Sequence, residues 1–287
     1  MQALYDVPAP AKLNLFLHIT GRRADGYHLL QSVFMLIDWC DTLHFERHAA
    51  SSEITREDLG AALPGVDLTI QAARALQQAT GCSQGARIGL HKSIPAQAGM
   101  GGGSSDAATT LLALNRLWGL HLPRSALEKI GLALGADVPF FLRGRNAWVE
   151  GIGETITPLE KAHQLPPARF AVVKPAAGLE TKSIFSSPSL KRDSDSATIL
   201  GFAAAHFDFG RNDLQPVAQA LCPEVTEAVE WLRSRGLQAR MTGSGSAVFA
   251  QMTSHAVDLA GAPQGWQVKA CDNLMIHPLA GWASDEN

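Results

Sequence analysis

The chain has few cysteines and no long apolar run. Only four of its 287 residues are cysteine, and no two of them are spaced as a CxxC pair, which predicts free thiols in a reducing compartment. No apolar run approaches the ~20 residues that a membrane span needs. The first ten residues lack the cationic and then apolar layout of a signal peptide. A cytoplasmic protein without a membrane segment is therefore predicted.

Charge of either sign is also scarce. Charged residues make up 18% of the chain, and 24 Lys and Arg against 27 Asp and Glu give a net charge of −3. This balance argues against non-specific nucleic-acid binding, which depends on a basic surface that neutralises phosphates. A chain of this length buries roughly 75% of the surface that its unfolded form exposes, so one large domain or two smaller ones are expected. The predicted partner is a small molecule rather than nucleic acid or a membrane.

An alternating segment near the N-terminus predicts the first strand. Across residues 11–19, apolar side chains alternate with a set that includes Lys12 and Asn14, which is the period of a strand. Lys12 and Asn14 therefore point to the same side, about 6.8 Å apart along the strand. A glycine-bearing turn at residues 21–28 follows, and residues 29–37 are expected to form a second, mostly buried strand.

Glycines are concentrated at residues 99–103, where four of the five residues are glycine. Ser104 and Ser105 follow, and either can cap the helix that the apolar spacing predicts as far as Trp118. Converging backbone N–H groups and the positive end of a helix bind an anion without any cationic side chain. A tight connection without a ligand is the alternative. The serine pair and the amphipathic helix favour a phosphate site.

Two standard nucleotide motifs are absent. None of the eight lysines follows a glycine, so there is no Walker A sequence. A dinucleotide fingerprint that starts at Gly99 and Gly101 has Ser104 where its third glycine should stand, and it lacks the acidic partner ~20 residues later. A nicotinamide-dependent dehydrogenase is therefore the weakest candidate.

The second half of the chain has a different organisation. Residues 158–167 are polar and contain three prolines, which predicts a junction between a domain of residues 1–160 and one of residues 161–287. Helices and strands then follow in an α+β arrangement, with the helices on a mostly antiparallel sheet. Residues 186–196 are expected to be a polar loop, the least structured stretch of the chain. Residues 242–246, Thr-Gly-Ser-Gly-Ser, form a second glycine turn.

The segment around the glycine cluster carries a family resemblance. Residues 95–105, here called the glycine loop, read Pro-Ala-Gln-Ala-Gly-Met-Gly-Gly-Gly-Ser-Ser and resemble the phosphate-binding motif of the GHMP kinases. That group includes galactokinase, homoserine kinase and mevalonate kinase. Five other segments are similar to the branch of this family that phosphorylates 4-diphosphocytidyl-2-C-methyl-D-erythritol, and they lie at residues 10–15, 23–28, 134–139, 212–214 and 242–246.

The resemblance implies a fold. It spans nearly the whole chain, from residue 10 to about residue 249. The implied architecture is α+β, a two-domain GHMP kinase fold. Its N-terminal half is similar to domain 2 of ribosomal protein S5, and its C-terminal half is ferredoxin-like.

A reaction and its catalytic residues are also implied by the resemblance. ATP would donate its γ-phosphoryl group to the 2-hydroxyl of the substrate, in a step of the non-mevalonate isoprenoid pathway, with Mg²⁺ bridging the nucleotide phosphates. Asp137, in a segment stiffened by Pro139, would take the proton of that hydroxyl. Lys12 would pair with Asp137 and offset charge on the transferred group. A helix-terminating aspartate and a solvated lysine are the structural alternatives.

The ligand residues are assigned by the same resemblance. Tyr27 would stack on the cytosine ring opposite Phe185, while His28 hydrogen-bonds the edge of the base. Mg²⁺ is expected near Ser104, without a dedicated ligand set. The other substrate ligands are Asn14, Thr181, Gly243 and Ser244. The ATP ligands are Pro95, Ala96, Gln97, Ala98, Gly99, Met100, Gly101, Gly102, Gly103, Ser104 and Ser105.

Other functions stay open on the sequence alone. A homoserine- or mevalonate-type kinase shares the glycine loop, and the Tyr27-His28 turn favours a cytidine substrate over theirs. A non-catalytic nucleotide-sensing protein on the same fold should lose Lys12 or Asp137, and both are present. Residues 96–98, Ala-Gln-Ala, replace glycines that are usual in the family, which could alter nucleotide affinity. Either a monomer or a homodimer is compatible with the sequence.

Overall fold

Two long antiparallel strands form the centre of the fold. The structure is a computed structural model that describes residues 1–60, 62–63, 67–253 and 257–285. Strand β1 (Ala3–Arg22) pairs with β2 (His28–His48), and their register places Lys12 opposite Leu36 and Asn14 opposite Phe34. The two predicted strands are confirmed, and both extend beyond the predicted residues 11–19 and 29–37.

The remaining strands build one mixed sheet around β2. They are β3 (Ile54–Asp58), β4 (Gly85–His91), β5 (Ala147–Glu150), β6 (Thr155–Pro158), β7 (Arg169–Lys174), β8 (Ala239–Met241), β9 (Val248–Met252) and β10 (Gln267–Leu274). The order is β3-β4-β2-β10-β7-β9-β8; β1 and β5 also pair with β2, and β6 pairs with β5. Among the strands of the described residues, only the β3–β4 pair is parallel. The α+β class is confirmed.

Eight α-helices pack on this sheet within the described ranges. They are α1 (Leu68–Thr80), α2 (Gly102–Leu117), α3 (Arg124–Leu134), α4 (Val138–Arg143), α5 (Thr181–Ser186), α6 (Ile199–Ala205), α7 (Gln215–Leu221) and α8 (Pro223–Arg233). Short 3₁₀ turns lie at Lys161–His163 and His206–Asp208. No helix in the described part of the chain combines the length and the apolar character needed to cross a membrane.

Strand β1 is buried on both faces, which its alternating sequence does not predict. Lys12 and Asn14 are buried along with the apolar side chains. The start of the strand packs with α2 in a first core cluster, whereas Leu17 and Ile19 belong to a cluster shared with α8. Because both halves of the protein cover β1, its polar side chains face an enclosed site rather than solvent.

Strand β10 connects the two halves of the sheet. Residues 267–272 pair with β7, while Asn273 and Leu274 pair with β2. The chain then returns to the first half, where the Arg124 N–H donates to the Ser284 carbonyl at 2.9 Å. The division at residues 160 and 161 stays a prediction, and β10 makes contacts on both sides of it.

Phe202 on α6 provides a test of the core packing. Its ring is fully buried, with centroid distances of 6.1 Å to Phe16 and 5.8 Å to Phe209. Phe202→Ala is expected to lower the free energy of unfolding by about 3–5 kcal/mol, because it removes buried apolar surface and leaves a cavity. Leu200 on the same helix is 73% exposed, so Leu200→Ala should change it by less than about 0.5 kcal/mol. Equilibrium urea unfolding measures both, and equal losses would contradict the packing.

Candidate active site

The glycine loop connects β4 to α2. Helix α2 has Gly101 as its N-cap, with a φ of 71° and no capping side chain, so the predicted cap by Ser104 or Ser105 is wrong. The Gly101 carbonyl accepts from the Ser105 N–H at 2.9 Å, and the helix therefore begins before the serines. The N–H groups of residues 102–104 have no acceptor within the helix, which leaves them available to an anion.

The first turn of α2 lines a cavity of about 830 Å³. Ser105 does not line it, because this residue is buried and donates its hydroxyl hydrogen to the Pro10 carbonyl at 2.7 Å. Its predicted contact with ATP stays a prediction. The sequence-predicted residues that do line the cavity are Lys12, Asn14, Pro95, Ala96, Gln97, Ala98, Gly99, Met100, Gly101, Gly102, Gly103, Ser104, Asp137, Thr181, Phe185, Gly243 and Ser244.

The second glycine turn packs directly on the glycine loop. A β carbon on Gly99 would lie 2.3 Å from the Thr242 carbonyl oxygen, and one on Gly243 would lie 2.7 Å from the Gly99 carbonyl oxygen. Both residues also have positive φ, 70° and 53°. The Ser246 N–H donates to the Gln97 carbonyl at 3.1 Å. Glycine is therefore required at both positions, and the two segments are in direct backbone contact.

Two polar side chains hold the second glycine turn in place. The Asn212 amide donates to the carbonyls of Met241 and Gly243, each at 2.8 Å. The Thr242 hydroxyl accepts from the backbone N–H of Asn14 at 2.8 Å, which ties the turn to β1. Residues 212–214 carried part of the family resemblance, but the sequence did not indicate that Asn212 orients this turn.

Lys12 is buried at the floor of the cavity. Its ammonium donates a hydrogen bond to Asn14 Oδ1, lies 3.6 Å from Asp137 Oδ2 and lies 4.5 Å from the centroid of the Phe34 ring. Burial lowers the pKa of Lys12, and the Asp137 carboxylate opposes that shift. The predicted pairing of Lys12 with Asp137 is confirmed as a contact.

Asp137 lies where the sequence indicates, between the end of α3 and the start of α4. It is the N-cap residue of α4 but makes no side-chain capping bond. Its side chain is 30% exposed and lines the cavity. A carboxylate that is fixed by a lysine, free of the helix and open to a cavity is placed to accept a proton from a ligand.

A buried charge cluster beside the glycine loop was not predicted. The Lys92 ammonium donates to Asp41 and, at 2.7 Å, to Asp106. Asp41 also accepts the N–H groups of Ser93 and Ile94, at 2.6 and 2.8 Å, and so fixes the chain just before the glycine loop. The only sequence signal was two aspartates at otherwise apolar positions, Asp41 in β2 and Asp106 in α2.

The substrate side is only partly assembled. Thr181 and Ser244 share a hydrogen bond between their hydroxyls at 2.7 Å. Phe185 lines the cavity and packs on His28, with ring centroids 5.1 Å apart. Tyr27 is 60% exposed, and neither Tyr27 nor His28 lines the cavity. The structure thus brings His28 to Phe185, while the predicted stacking of Tyr27 and Phe185 on opposite faces of the cytosine ring stays a prediction.

The donor groups near the first turn of α2 bear on whether Mg²⁺ fits this site. In the described parts of the chain, no group of three or more His, Cys, Asp or Glu side chains could hold a metal. The Ser104 hydroxyl and the Asp137 carboxylate line the same cavity. Oxygen ligands in this small number fit Mg²⁺, which usually keeps several waters and binds through one or two protein groups together with substrate phosphates.

Two family models match the chain. The model of the GHMP kinases N terminal domain matches residues 67–145, which include the glycine loop and Asp137. The model of the GHMP kinases C terminal region matches residues 197–260, which include the second glycine turn. The matches therefore cover both segments that meet at the cavity.

Curated relatives resemble the chain along its full length. It is 75% identical over 287 residues to 4-diphosphocytidyl-2-C-methyl-D-erythritol kinase of Paracidovorax citrulli, with all of both chains covered. The protein of the same name from Verminephrobacter eiseniae is 74% identical over 303 residues, again with full coverage of both.

Solved structures give the same result. A crystal structure of 4-(cytidine 5'-diphospho)-2C-methyl-D-erythritol kinase superposes with a TM-score of 0.77 at 32% identity, covering 93% of this chain and 98% of that one. Homoserine kinase from Cytophaga hutchinsonii superposes with a TM-score of 0.68 at 15% identity, covering 96% of each chain. The second likeness concerns the fold alone.

The buried cluster of Lys92, Asp41 and Asp106 predicts how the free energy of unfolding depends on pH. Burial and the neighbouring Asp41 raise the pKa of Asp106 from its ordinary 3.8 to about 8. Between these values the folded state holds a proton that the unfolded chain has released, so this group makes the free energy of unfolding fall as pH rises. Asp106→Asn removes the titration, and its free energy of unfolding should decline less than that of the unmodified protein between about pH 5 and 8.

Urea unfolding at several pH values measures this difference. Asp193→Asn is the control, because Asp193 is exposed and its hydrogen bond with Lys191 lowers its pKa. That carboxylate is ionised in both states above about pH 5, so the variant should keep the unmodified slope. An unchanged slope in Asp106→Asn would show that Asp106 does not titrate in this range.

Proposed function

The chain belongs to the 4-diphosphocytidyl-2-C-methyl-D-erythritol kinases of the GHMP kinase family, and we propose on this basis how its own residues carry out the reaction. The enzyme transfers the γ-phosphoryl group of ATP to the 2-hydroxyl of 4-diphosphocytidyl-2-C-methyl-D-erythritol, in the non-mevalonate route to isoprenoid precursors. One observation carries the proposal: the uncapped first turn of α2 and the Lys12–Asp137 pair line the same cavity.

The glycine loop would bind the phosphates of ATP through its backbone. The N–H groups of residues 102–104 lack acceptors in α2, and the end of the helix adds a partial positive charge of roughly +0.5. Gly99 and Gly101 have positive φ, which lets successive N–H groups converge. This arrangement explains how a chain with a net charge of −3 holds a polyanion.

Asp137 would accept the proton of the acceptor hydroxyl while Lys12 stabilises charge on the moving phosphoryl group. Phosphoryl transfer depends mainly on positioning and on electrostatic stabilisation, so a fixed carboxylate and a fixed cation are the groups it needs. Asn14 accepts from the Lys12 ammonium and donates to the Ser32 hydroxyl at 2.9 Å. Besides the proposed contact with the acceptor, Asn14 would therefore also orient Lys12.

Mg²⁺ would be held chiefly by the phosphates of ATP, with the Ser104 hydroxyl as the protein ligand closest to them. When bound, the ion neutralises charge on the nucleotide phosphates. Ser104 lies in the first turn of α2 and lines the cavity, which supports this assignment.

The cytidine end of the substrate would lie at the opposite side of the cavity, near Phe185 and His28. Phe185 already lines the cavity and packs on His28. Tyr27, whose ring is 60% exposed, would stack on the face of the base opposite Phe185. Thr181, Gly243 and Ser244 lie between the two ends and would contact the diphosphate linker.

Substrate choice provides the direct test of the function. ADP release should be fast with 4-diphosphocytidyl-2-C-methyl-D-erythritol and at least about 100-fold lower in kcat/KM with homoserine or mevalonate, because neither of these carries a base for Phe185 and His28. A coupled ADP assay with each acceptor at matched concentration measures the ratio. Equal or greater activity on homoserine or mevalonate would overturn the substrate assignment.

Substitution of the two charged residues tests their roles. Asp137→Asn should lower kcat by about 100- to 10,000-fold through loss of the proton acceptor. Lys12→Met should lower it by about 100- to 1,000-fold, because a cation beside the transferred group is lost. Glu227→Gln is the matched control on the exposed side of α8 and should leave kcat unchanged. Thermal unfolding checks that each variant folds, and a folded Asp137→Asn with full activity would remove Asp137 from the reaction.

A further inference from the structure

The loop that follows α5 is ordered by side-chain contacts. Residues 187–198, here called the Arg192 loop, include most of the stretch predicted to be the least structured of the chain. They contain no helix or strand, but the Ser194 N–H donates to the Ile19 carbonyl at 3.0 Å. The Ser194 hydroxyl also donates to Asp213 at 2.6 Å. The loop is therefore fixed against β1.

From this loop, the Arg192 guanidinium hydrogen-bonds both His28 and Phe185, the two residues in contact at the proposed cytidine side. Its Nε donates to Nε2 of His28 at 2.9 Å. Its Nη2 donates to the carbonyls of Phe185 and Ser187, at 3.3 and 2.7 Å, and its Nη1 donates to the Leu190 carbonyl at 2.9 Å. One side chain thus fixes the imidazole and the end of the helix that carries Phe185.

This contact determines which nitrogen of His28 carries the proton. A guanidinium has five N–H donors and no acceptor, so the nitrogen it contacts must present a lone pair. Neutral histidine with an unprotonated Nε2 has its hydrogen on Nδ1. Burial, followed by the charges of Arg192 and Arg22, lowers the pKa of His28, which agrees with a neutral ring. Nδ1 has no hydrogen-bond partner among the described residues and is not among their buried unpaired atoms.

We propose that Arg192 is a specificity-determining positioning residue that keeps His28 as a hydrogen-bond donor at Nδ1 and so selects cytosine over uracil. The chemistry follows from the bases: N3 of cytosine is an acceptor, whereas N3 of uracil carries a hydrogen and repels a second donor. A histidine free to exchange its proton between the two nitrogens would accept either base. The inference rests on the proposed function, because it assumes that His28 contacts the base.

The first experiment observes the tautomer without any substrate. In long-range ¹H–¹⁵N spectra of the ¹⁵N-histidine-labelled protein, His28 should show a protonated Nδ1 and an unprotonated Nε2. Arg192→Met should shift the signals toward a mixture in which Nε2 is protonated. Arg22→Met is the matched control, since Arg22 also lowers the pKa of His28 but donates to the Gly26 carbonyl instead, at 3.1 Å. That variant should leave the tautomer unchanged.

The second experiment measures base selectivity. The ratio of kcat/KM for the cytidine substrate to that for its uridine counterpart should fall about 10-fold in Arg192→Met, the size expected for one hydrogen bond. It should stay within about 2-fold in Arg22→Met, and the KM for ATP should not change in either. In a His28→Asn background, whose amide can rotate to donate or accept, Arg192→Met should have no further effect on the ratio.

The outcomes separate the possible failures. An unmodified enzyme without activity on the cytidine substrate would overturn the proposed function, while the spectra would still test the tautomer. An unchanged tautomer in Arg192→Met, or an unchanged ratio despite a changed tautomer, would overturn the role of Arg192. If Arg192→Met lowered the selectivity ratio equally in the unmodified protein and in the His28→Asn background, Arg192 would only support the loop. Should Arg192→Met not fold, Arg192→Gln provides the same readouts, because a side-chain amide can either donate to Nε2 or accept from it and so does not fix the tautomer.

Discussion

The glycine loop and the second glycine turn meet backbone to backbone, and this contact fixes the position of the other groups in the site. The Thr242 carbonyl oxygen occupies the space where a β carbon of residue 99 would stand, at 2.3 Å. The turn comes from the second half of the chain and the loop from the first, so their approach sets the width of the cavity between them. Asn212 holds the turn by a hydrogen bond to the Gly243 carbonyl. The Thr242 hydroxyl ties the turn to β1 by accepting from the Asn14 N–H. A side chain at either glycine would separate the halves.

In the proposed site the backbone N–H groups of α2 would bind the anion, while the two lysines beside the glycine loop are paired with acidic side chains. Lys12 is neutralised in part by Asp137, and Lys92 is shared between Asp41 and Asp106. Neither lysine forms an open basic surface, because both are buried or half-buried. The uncapped first turn of α2 faces the cavity, and its N–H groups have no acceptor within the helix. In the proposed site, a phosphate would therefore have to reach the helix end in order to be bound.

Local features of the site were predictable from residue patterns, whereas the one long-range pairing that was predicted, Lys12 with Asp137, came from the family resemblance. Strand alternation places Lys12 and Asn14 on one side, and the glycines with the following apolar spacing indicate a helix start that binds phosphate. The predicted cap of α2 was wrong because the helix begins before the serines. The Ser105 hydroxyl instead donates to the Pro10 carbonyl, a partner 95 residues away that no local pattern reveals. The Lys92 cluster likewise joins residues 51 and 14 positions apart along the chain. Resemblance added the role of Asp137, which spacing alone would leave as a helix-terminating aspartate.

The two ends of the cavity differ in how completely they are formed without ligands. The proposed nucleotide end is built from backbone groups held by glycine geometry, so its shape is fixed by the fold itself. The proposed cytidine end depends on side chains instead, and of its three aromatic residues His28 and Phe185 are in contact while the Tyr27 ring is exposed. In the proposed complex, the bound base would cover the exposed Tyr27 ring. Discrimination between bases in the proposed complex would therefore come from the groups already in place, the imidazole edge of His28 and the Phe185 ring, whose segments Arg192 holds together.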